Sequence, residues 1–427
     1  MLKTLAFIAR LMIYCHLKAG RCGVVMAAKM YKNIKRSICV FCAFSRLYLK
    51  FCGICGFLRR GKMKTRTAFI LSLTAILTLA AGSAFGSYSG GNGTAGNPYR
   101  IATKTDLLAL AANTGDYGKC FIQLADINMI GQVFTAPIIA ADGVPAFSGT
   151  FDGRGHKITN FTINEDYYDI GLFGTISGGS VKNLGIENCS VSGFYYVGCL
   201  VGFNSGGTIS NCYATGSVSG PTDSSNIGCL VGYNNGGSIS DCYSTGSAGG
   251  DSHVGCLVGS NQGGNISNCY ATGSVTGDII GGLVGSNSDG NISNCYSTGS
   301  VSGVSYIGGL VGINYSSISN CYSTGAVSGS MDVGGLVGLN SSGSSVSSFW
   351  NTQTSGRTTS AGGIGMTTAQ MKQTSTFTNW DFSETWGIIE NQTYPYLMTG
   401  PAADLNHDGK VDFADFSIFA DNWLSND

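Results

Sequence analysis

One hexapeptide returns six times along this chain. Written [Ile/Val]-Gly-[Gly/Cys]-Leu-Val-Gly, it begins at Val197, Ile227, Val254, Ile280, Ile307 and Val333, at intervals of 30, 27, 26, 27 and 26 residues. A shorter version, Ile170-Gly171-Leu172-Phe173-Gly174, precedes them. A fixed period of this length constrains the fold more than any local propensity does. One unit cannot bury its own apolar face, so neighbouring units must stack. After each hexapeptide come a Gly/Asn/Ser turn, a run such as Ile292-Ser-Asn-Cys-Tyr296, a second glycine turn and a short Ser-Val-Ser-Gly run. The pattern predicts three short strands and three turns per unit, with no helical period.

Coils of ~26 residues stacked at about 4.8 Å would let every strand bond to the coil above and below. The expected fold is therefore all-β, a right-handed parallel β-helix (solenoid) over residues 167–363. About seven coils would stand ~34 Å tall. Composition agrees: there are 65 glycines and only 11% charged residues, yet β-branched and aromatic residues recur too regularly for disorder. Charge is segregated along the chain. Residues 1–62 hold 13 of the 24 Lys+Arg and no acid, whereas beyond Gly86 there are 9 basic residues against all 24 acidic ones. An acidic body of this kind has no footprint for nucleic acid.

The repeats resemble the GLUG motif family of bacterial surface and secreted proteins. The resemblance implies a β-solenoid outside the cell and no shared chemistry.

Stacked coils turn each repeat position into a column. Cys212, Cys242, Cys269, Cys295 and Cys321 share one position, with Leu184 read as the first member and Phe349 as the last. A position that accepts Leu, Cys and Phe reads as an inward apolar rung where cysteine acts as a small hydrophobe. Free buried thiols are expected, with disulfides between rungs as the alternative. A second column, Gly171, Cys199, Cys229, Cys256, Gly282, Gly309 and Gly335, reads as a tight spot. His253 is placed in a turn. Tyr213, Tyr243, Tyr270, Tyr296 and Tyr322 form a column beside the first cysteines, facing away from them by alternation. That column is either a stripe that stacks on sugars or a ladder that covers the sheet.

Met63-Lys64-Thr65-Arg66, the apolar run 68–81 and Gly82-Ser83-Ala84-Phe85-Gly86 have the layout of a secretory signal peptide over residues 63–86. Residues 1–62 then read as a mis-called upstream segment. The competing reading is a zinc knuckle from Cys39-x-x-Cys42 and Cys52-x-x-Cys55, whose nine-residue gap is short of the ~15–20 of zinc ribbons. Secretion, with no membrane span in the mature chain, follows from the signal layout. Residues 87–166 are expected to form an N-terminal cap with irregular first coils. They include a strand and short helix over 97–112, with Asp106 as helix N-cap or first-turn acid. Phe151-Asp152-Gly153-Arg154-Gly155-His156-Lys157 gathers ionisable groups that invite a catalytic reading, but its glycine spacing reads as a tight turn between strands.

Residues 364–400 bring aromatics and read as a closing segment. The tail, residues 401–427, carries Asp404, Asn406, Asp408, Lys410, Asp412 and Asp415 at calcium-loop positions 1, 3, 5, 7, 9 and 12, with Gly409 at the sharp turn. Lys410 would contribute its backbone carbonyl. This segment resembles a type I dockerin, an EF-hand-like unit with a following helix. The resemblance implies bound calcium and a cohesin-like or surface partner; dockerins carry two such loops and this tail carries one. Two functions remain: a secreted, non-catalytic scaffold or adhesin-like display surface, with a glycan as possible ligand, or a polysaccharide lyase or glycoside hydrolase of β-helix type.

Overall fold

A computed structural model describes residues 88–164 and 168–398. These form a parallel β-solenoid of about eight turns. Each coil holds five short strands rather than the three expected. The coil at 195–219 consists of Tyr195–Val197, Val201–Ser205, Thr208–Ser210, Tyr213–Ala214 and Ser217–Ser219. Stacking these from coil to coil gives five ladders, called I to V in that order. Ladders I and II each contain seven strands and ladder III ten, beginning at Tyr99–Ile101. Ladders IV and V are one 16-stranded sheet, because Lys157–Asn164 runs unbroken through both and only later coils split it.

The hexapeptide explains the extra strands, since it straddles a corner instead of forming one strand. Ile227 and Gly228 end a strand of ladder I, Cys229 and Leu230 bend, and Val231 opens ladder II. The Leu257 carbonyl accepts from both Leu230 N and Val231 N, at 3.1 Å each. Two glycines are forced by close main-chain approach. A Cβ on Gly228 would lie 2.2 Å from the Val231 carbonyl oxygen, and one on Gly232 2.4 Å from the Tyr196 carbonyl carbon. The Leu230 side chain fills the corner and is fully buried, as are Leu200, Leu257, Leu283, Leu310 and Leu336. The corner from ladder III to IV turns through a left-handed residue. Asn211, Asp241, Asn268, Asn294 and Asn320 all have φ between 51° and 54°, a region that Asn and Asp tolerate better than other side chains.

The N-terminal cap contains the strand Tyr99–Ile101 and helix α1, Lys104–Ala112. Thr103 is its N-cap. Asp106 is the first-turn acid of a capping box, accepting from Ala102 N and Thr103 N and from the hydroxyls of Ser89 and Thr103. Burial opposes its ionisation, but these four bonds outweigh it and lower the Asp106 pKa. The closing segment holds two 3-10 turns, Gln370–Lys372 and Thr374–Thr376, and an antiparallel pair, Trp386–Gly387 with Tyr396–Leu397. No helix among the described residues is long and apolar enough to cross a membrane.

Candidate functional site

The six expected calcium ligands, Asp404 to Asp415, the four cysteines of the zinc reading and the signal segment all lie outside the described residues. Within them, chemically distinctive side chains gather in the cysteine columns, the tyrosine ladder with its cover, a buried asparagine ladder and a polar groove on the first coils.

Cys212, Cys242, Cys269, Cys295 and Cys321 are free and buried, as an inward rung requires. Each thiol donates to the carbonyl two residues before it, at 3.0–3.3 Å. Burial pushes the thiols of Cys212, Cys242, Cys269 and Cys295 well up, away from nucleophilic or metal-binding thiolate character. The register corrects the last member of this column. Phe349 pairs with Tyr322, so it belongs to the tyrosine column, and Ser348 follows Cys321, its hydroxyl accepting from Cys321 N at 3.2 Å.

In the second column Cys199 is bonded to Cys189, ten residues earlier in the chain and in the preceding coil, so this disulfide joins neighbouring coils but links two different columns. In later coils glycine takes the place of Cys189. Gly246 and Gly273 lie beneath the thiols of Cys229 and Cys256, where an added Cβ would come within 3.2 and 2.9 Å of sulfur. His253 sits in the strand Ser252–Gly255 at φ 53°, not in a turn, and burial lowers its pKa.

The tyrosine column is a ladder of parallel rings. Centroids are 4.9–5.0 Å apart from Tyr213 to Tyr322, with interplanar angles of 2–8°. The closing segment lies over its lower half. Tyr270, Tyr296 and Tyr322 are buried in one cluster with Met371, Phe377, Trp380, Trp386 and Leu397. The Tyr322 hydroxyl donates to the Pro395 carbonyl at 2.6 Å. Those three rings therefore cover the sheet and are themselves covered, which removes them from any sugar-stacking stripe. Tyr213 and Tyr243 remain half-exposed.

Sequence reasoning missed a buried amide ladder. Asn204, Asn234, Asn261, Asn287, Asn314 and Asn340 stand seven residues after the start of each hexapeptide. Each Nδ2 donates to the next Oδ1, at 2.7–3.0 Å. The first five also donate to a carbonyl at the following turn, at 2.9–3.1 Å. The signal was present: an identical residue in all six copies that carries both a donor and an acceptor.

The Asp152-Gly-Arg-Gly-His stretch forms the expected turn, with Arg154 at φ 53° and Gly155 at φ 80°. Stacking adds polar partners from neighbouring coils. Asp152 Oδ1 accepts from Arg154 N and from Asn183 Nδ2, both at 2.9 Å, and its Oδ2 lies 3.7 Å from Lys182 Nζ. Burial opposes the charge on Asp152, but the bonds from Asn183 and Arg154 N, with the charges of Lys182 and Arg154, hold its pKa below the usual range. Lys157 Nζ pairs with Glu187 at 2.9 Å, and Glu187 accepts from the Tyr213 hydroxyl at 2.8 Å. His156 Nδ1 lies 3.2 Å from Asp126. Beside these pairs opens a groove of about 690 Å³, lined by Asp152, Arg154, Asn183, Gly185, Asn211 and Tyr213 among others. This is the one place among the described solenoid coils where Arg and Lys meet carboxylates.

Comparison with known proteins agrees with the coil pattern. The GLUG motif matches at residues 195–219, 250–276, 279–302 and 303–328, so the chain carries GLUG repeats. Halomucin of Haloquadratum walsbyi is 37% identical over 141 residues, which are 30% of this chain and 2% of that protein. A provisionally named Gly-rich membrane protein of Evansella cellulosilytica is 34% identical over 133 residues, 28% of this chain and 15% of that protein. The chain thus spans a small fraction of both relatives. Among solved structures, a candidate immunoglobulin A1 protease from Bacteroides ovatus superposes with a TM-score of 0.52 at 25% identity, over 74% of this chain and 96% of that one.

Proposed function

We propose that this chain is a secreted or cell-surface, non-catalytic repeat protein that works as a scaffold or adhesin-like display surface. One observation carries the reading. From Lys182 to Arg357 there is no lysine or arginine, and the outward strand positions there are mostly Ser, Thr and Asn on a continuous hydrogen-bonded ladder. Such a surface is stiff and hydrated, with only seven scattered acids between residues 183 and 356, suited to spacing or presenting something rather than to chemistry. The similarity to halomucin over 141 residues supports a place outside the cell. The likeness to the Bacteroides ovatus structure is one of fold, and no activity is carried over from it.

The tail belongs to the same proposal. Asp404, Asn406, Asp408, Lys410, Asp412 and Asp415 would bind calcium through hard oxygen ligands, and the dockerin-like segment would attach the solenoid to a cohesin-like or surface partner. Calcium titration with and without a cohesin distinguishes a docking module from a structural clip. The second reading, a polysaccharide lyase or glycoside hydrolase, is favoured by the ionisable groups gathered at Asp126, Asp152, His156 and Glu187. Assay of the secreted protein on pectin, alginate and chondroitin decides between them: turnover of any of the three overturns the display reading.

A further inference from the structure

The corner residues between ladders III and IV, half-buried apart from Asn211, form their own amide chain, which is broken at Asn211 and does not extend to Asn320. Asn183 donates to Asp152 at 2.9 Å, Asn268 to Asp241 at 3.1 Å, and Asn294 to Asn268 at 3.3 Å. Every link runs toward the N-terminal coil. Asn211 stands between Asn183 and Asp241, is exposed, and its side chain makes no hydrogen bond within the described residues. The break coincides with the groove.

A second group in the groove is also unmatched. Arg154 uses its backbone N–H on Asp152, and its exposed guanidinium, whose charge acts on Asp152, makes no hydrogen bond or close ion pair among the described residues. The groove therefore presents a free guanidinium fork, a free amide, and a carboxylate held in its charged form. Its volume falls within the about 300–1,000 Å³ typical of small-ligand sites.

We propose that this groove binds a uronic-acid residue of an acidic polysaccharide, its carboxylate on Arg154 and its hydroxyls on Asn211 and Asp152. The set of groups selects this class. A sulfate dianion has no proton to give Asp152, and a phosphate dianion, which keeps only one, would be repelled by it through its two charges. A neutral sugar would leave the guanidinium fork unmatched, whereas a uronate supplies both an anionic acceptor and hydroxyl donors. The inference rests on the display reading and names its ligand class.

The test is calorimetric titration of the full secreted chain with a galacturonic acid trimer and with a neutral galactose trimer, in a chelator so that the tail's calcium plays no part. Binding of the acidic trimer, with affinity reduced at least about tenfold by Arg154→Gln and several-fold by Asn211→Ala, is the expected result. Arg154→Lys should recover part of the loss, and Asn294→Ala, in an intact stretch of the amide chain, should change nothing. Unaltered urea midpoints establish that the variants fold. Equal affinity for both trimers, binding indifferent to Arg154→Gln, or no binding of the acidic trimer overturns the proposal. None of these results touches the display reading, which stands or falls on the turnover assays.

Discussion

Asn261→Ala should be among the most damaging single changes in the repeats. Asn261 accepts from Asn234 Nδ2 at 2.7 Å and donates to the Gly264 carbonyl and to Asn287 Oδ1, both at 2.9 Å. Two of the three partners keep another bond. Asn234 still donates to the Gly237 carbonyl, and the Gly264 carbonyl still accepts Asn291 N. Asn287 Oδ1 has no second donor and becomes an orphaned buried acceptor. Two ordinary hydrogen bonds at about 1 kcal/mol each, and an orphaned group at about 1–3 kcal/mol, put the cost near 3–5 kcal/mol. The ends of the ladder should lose less. Asn204 makes only the two donor bonds, and its loss orphans Asn234 Oδ1, so Asn204→Ala should cost about 2–4 kcal/mol. Asn340 only accepts, and Asn314 keeps its bond to the Ser316 carbonyl, so Asn340→Ala should cost about 1 kcal/mol.

Urea unfolding of the three variants, followed by circular dichroism, reads the order directly. A cost below 1 kcal/mol for Asn261→Ala, or an end variant more damaging than the central one, would refute the ladder argument. Asn261→Asp adds a pH test. The carboxylate loses the donor and faces the Gly264 and Asn287 oxygens in a dry site, so its folded pKa must rise. A raised acid pKa favours folding below the unfolded value of about 3.9 and costs stability as the pH climbs above it. This variant should therefore gain on wild type as the pH falls toward 4.

Tyr296→Ala removes a buried ring stacked between Tyr270 and Tyr322 and packed on Trp386. It should cost about 3–5 kcal/mol and red-shift the fluorescence of Trp380 and Trp386 as the closing segment loosens; an unchanged spectrum would sever that link. Cys189→Ser should lower the urea-derived stability by about 2–3 kcal/mol, and wild type in reductant should match it. Cys212, Cys242, Cys269, Cys295 and Cys321 should resist maleimide labelling until the chain unfolds, because all five are buried; labelling mapped to any of these five in the native protein within minutes would contradict the core assignment. Asp408→Ala should abolish high-affinity calcium binding in a titration of the full chain, and calcium binding left intact would remove the tail site.

The hexapeptide period alone determined that this chain is a stacked parallel solenoid, because a unit of about 26 residues with an apolar stripe has no other way to bury it. It also determined that Cys212 and its equivalents face inward, since a column shared with Leu184 must be apolar. Only the stacked structure decided the rest. Whether Ile-Gly-Cys-Leu-Val-Gly is a strand or a corner depends on how the next coil's Leu257 carbonyl is approached. The fate of the tyrosine column depended on residues more than 50 positions away, Trp386 and Leu397, settling on it. The groove at Arg154 arises from three successive coils, which bring Asp152 and Arg154 beside Asn183 and Asn211. Periodicity is a local property of the chain, whereas which neighbour covers, pairs or strands a given side chain is fixed only when the coils are laid against one another.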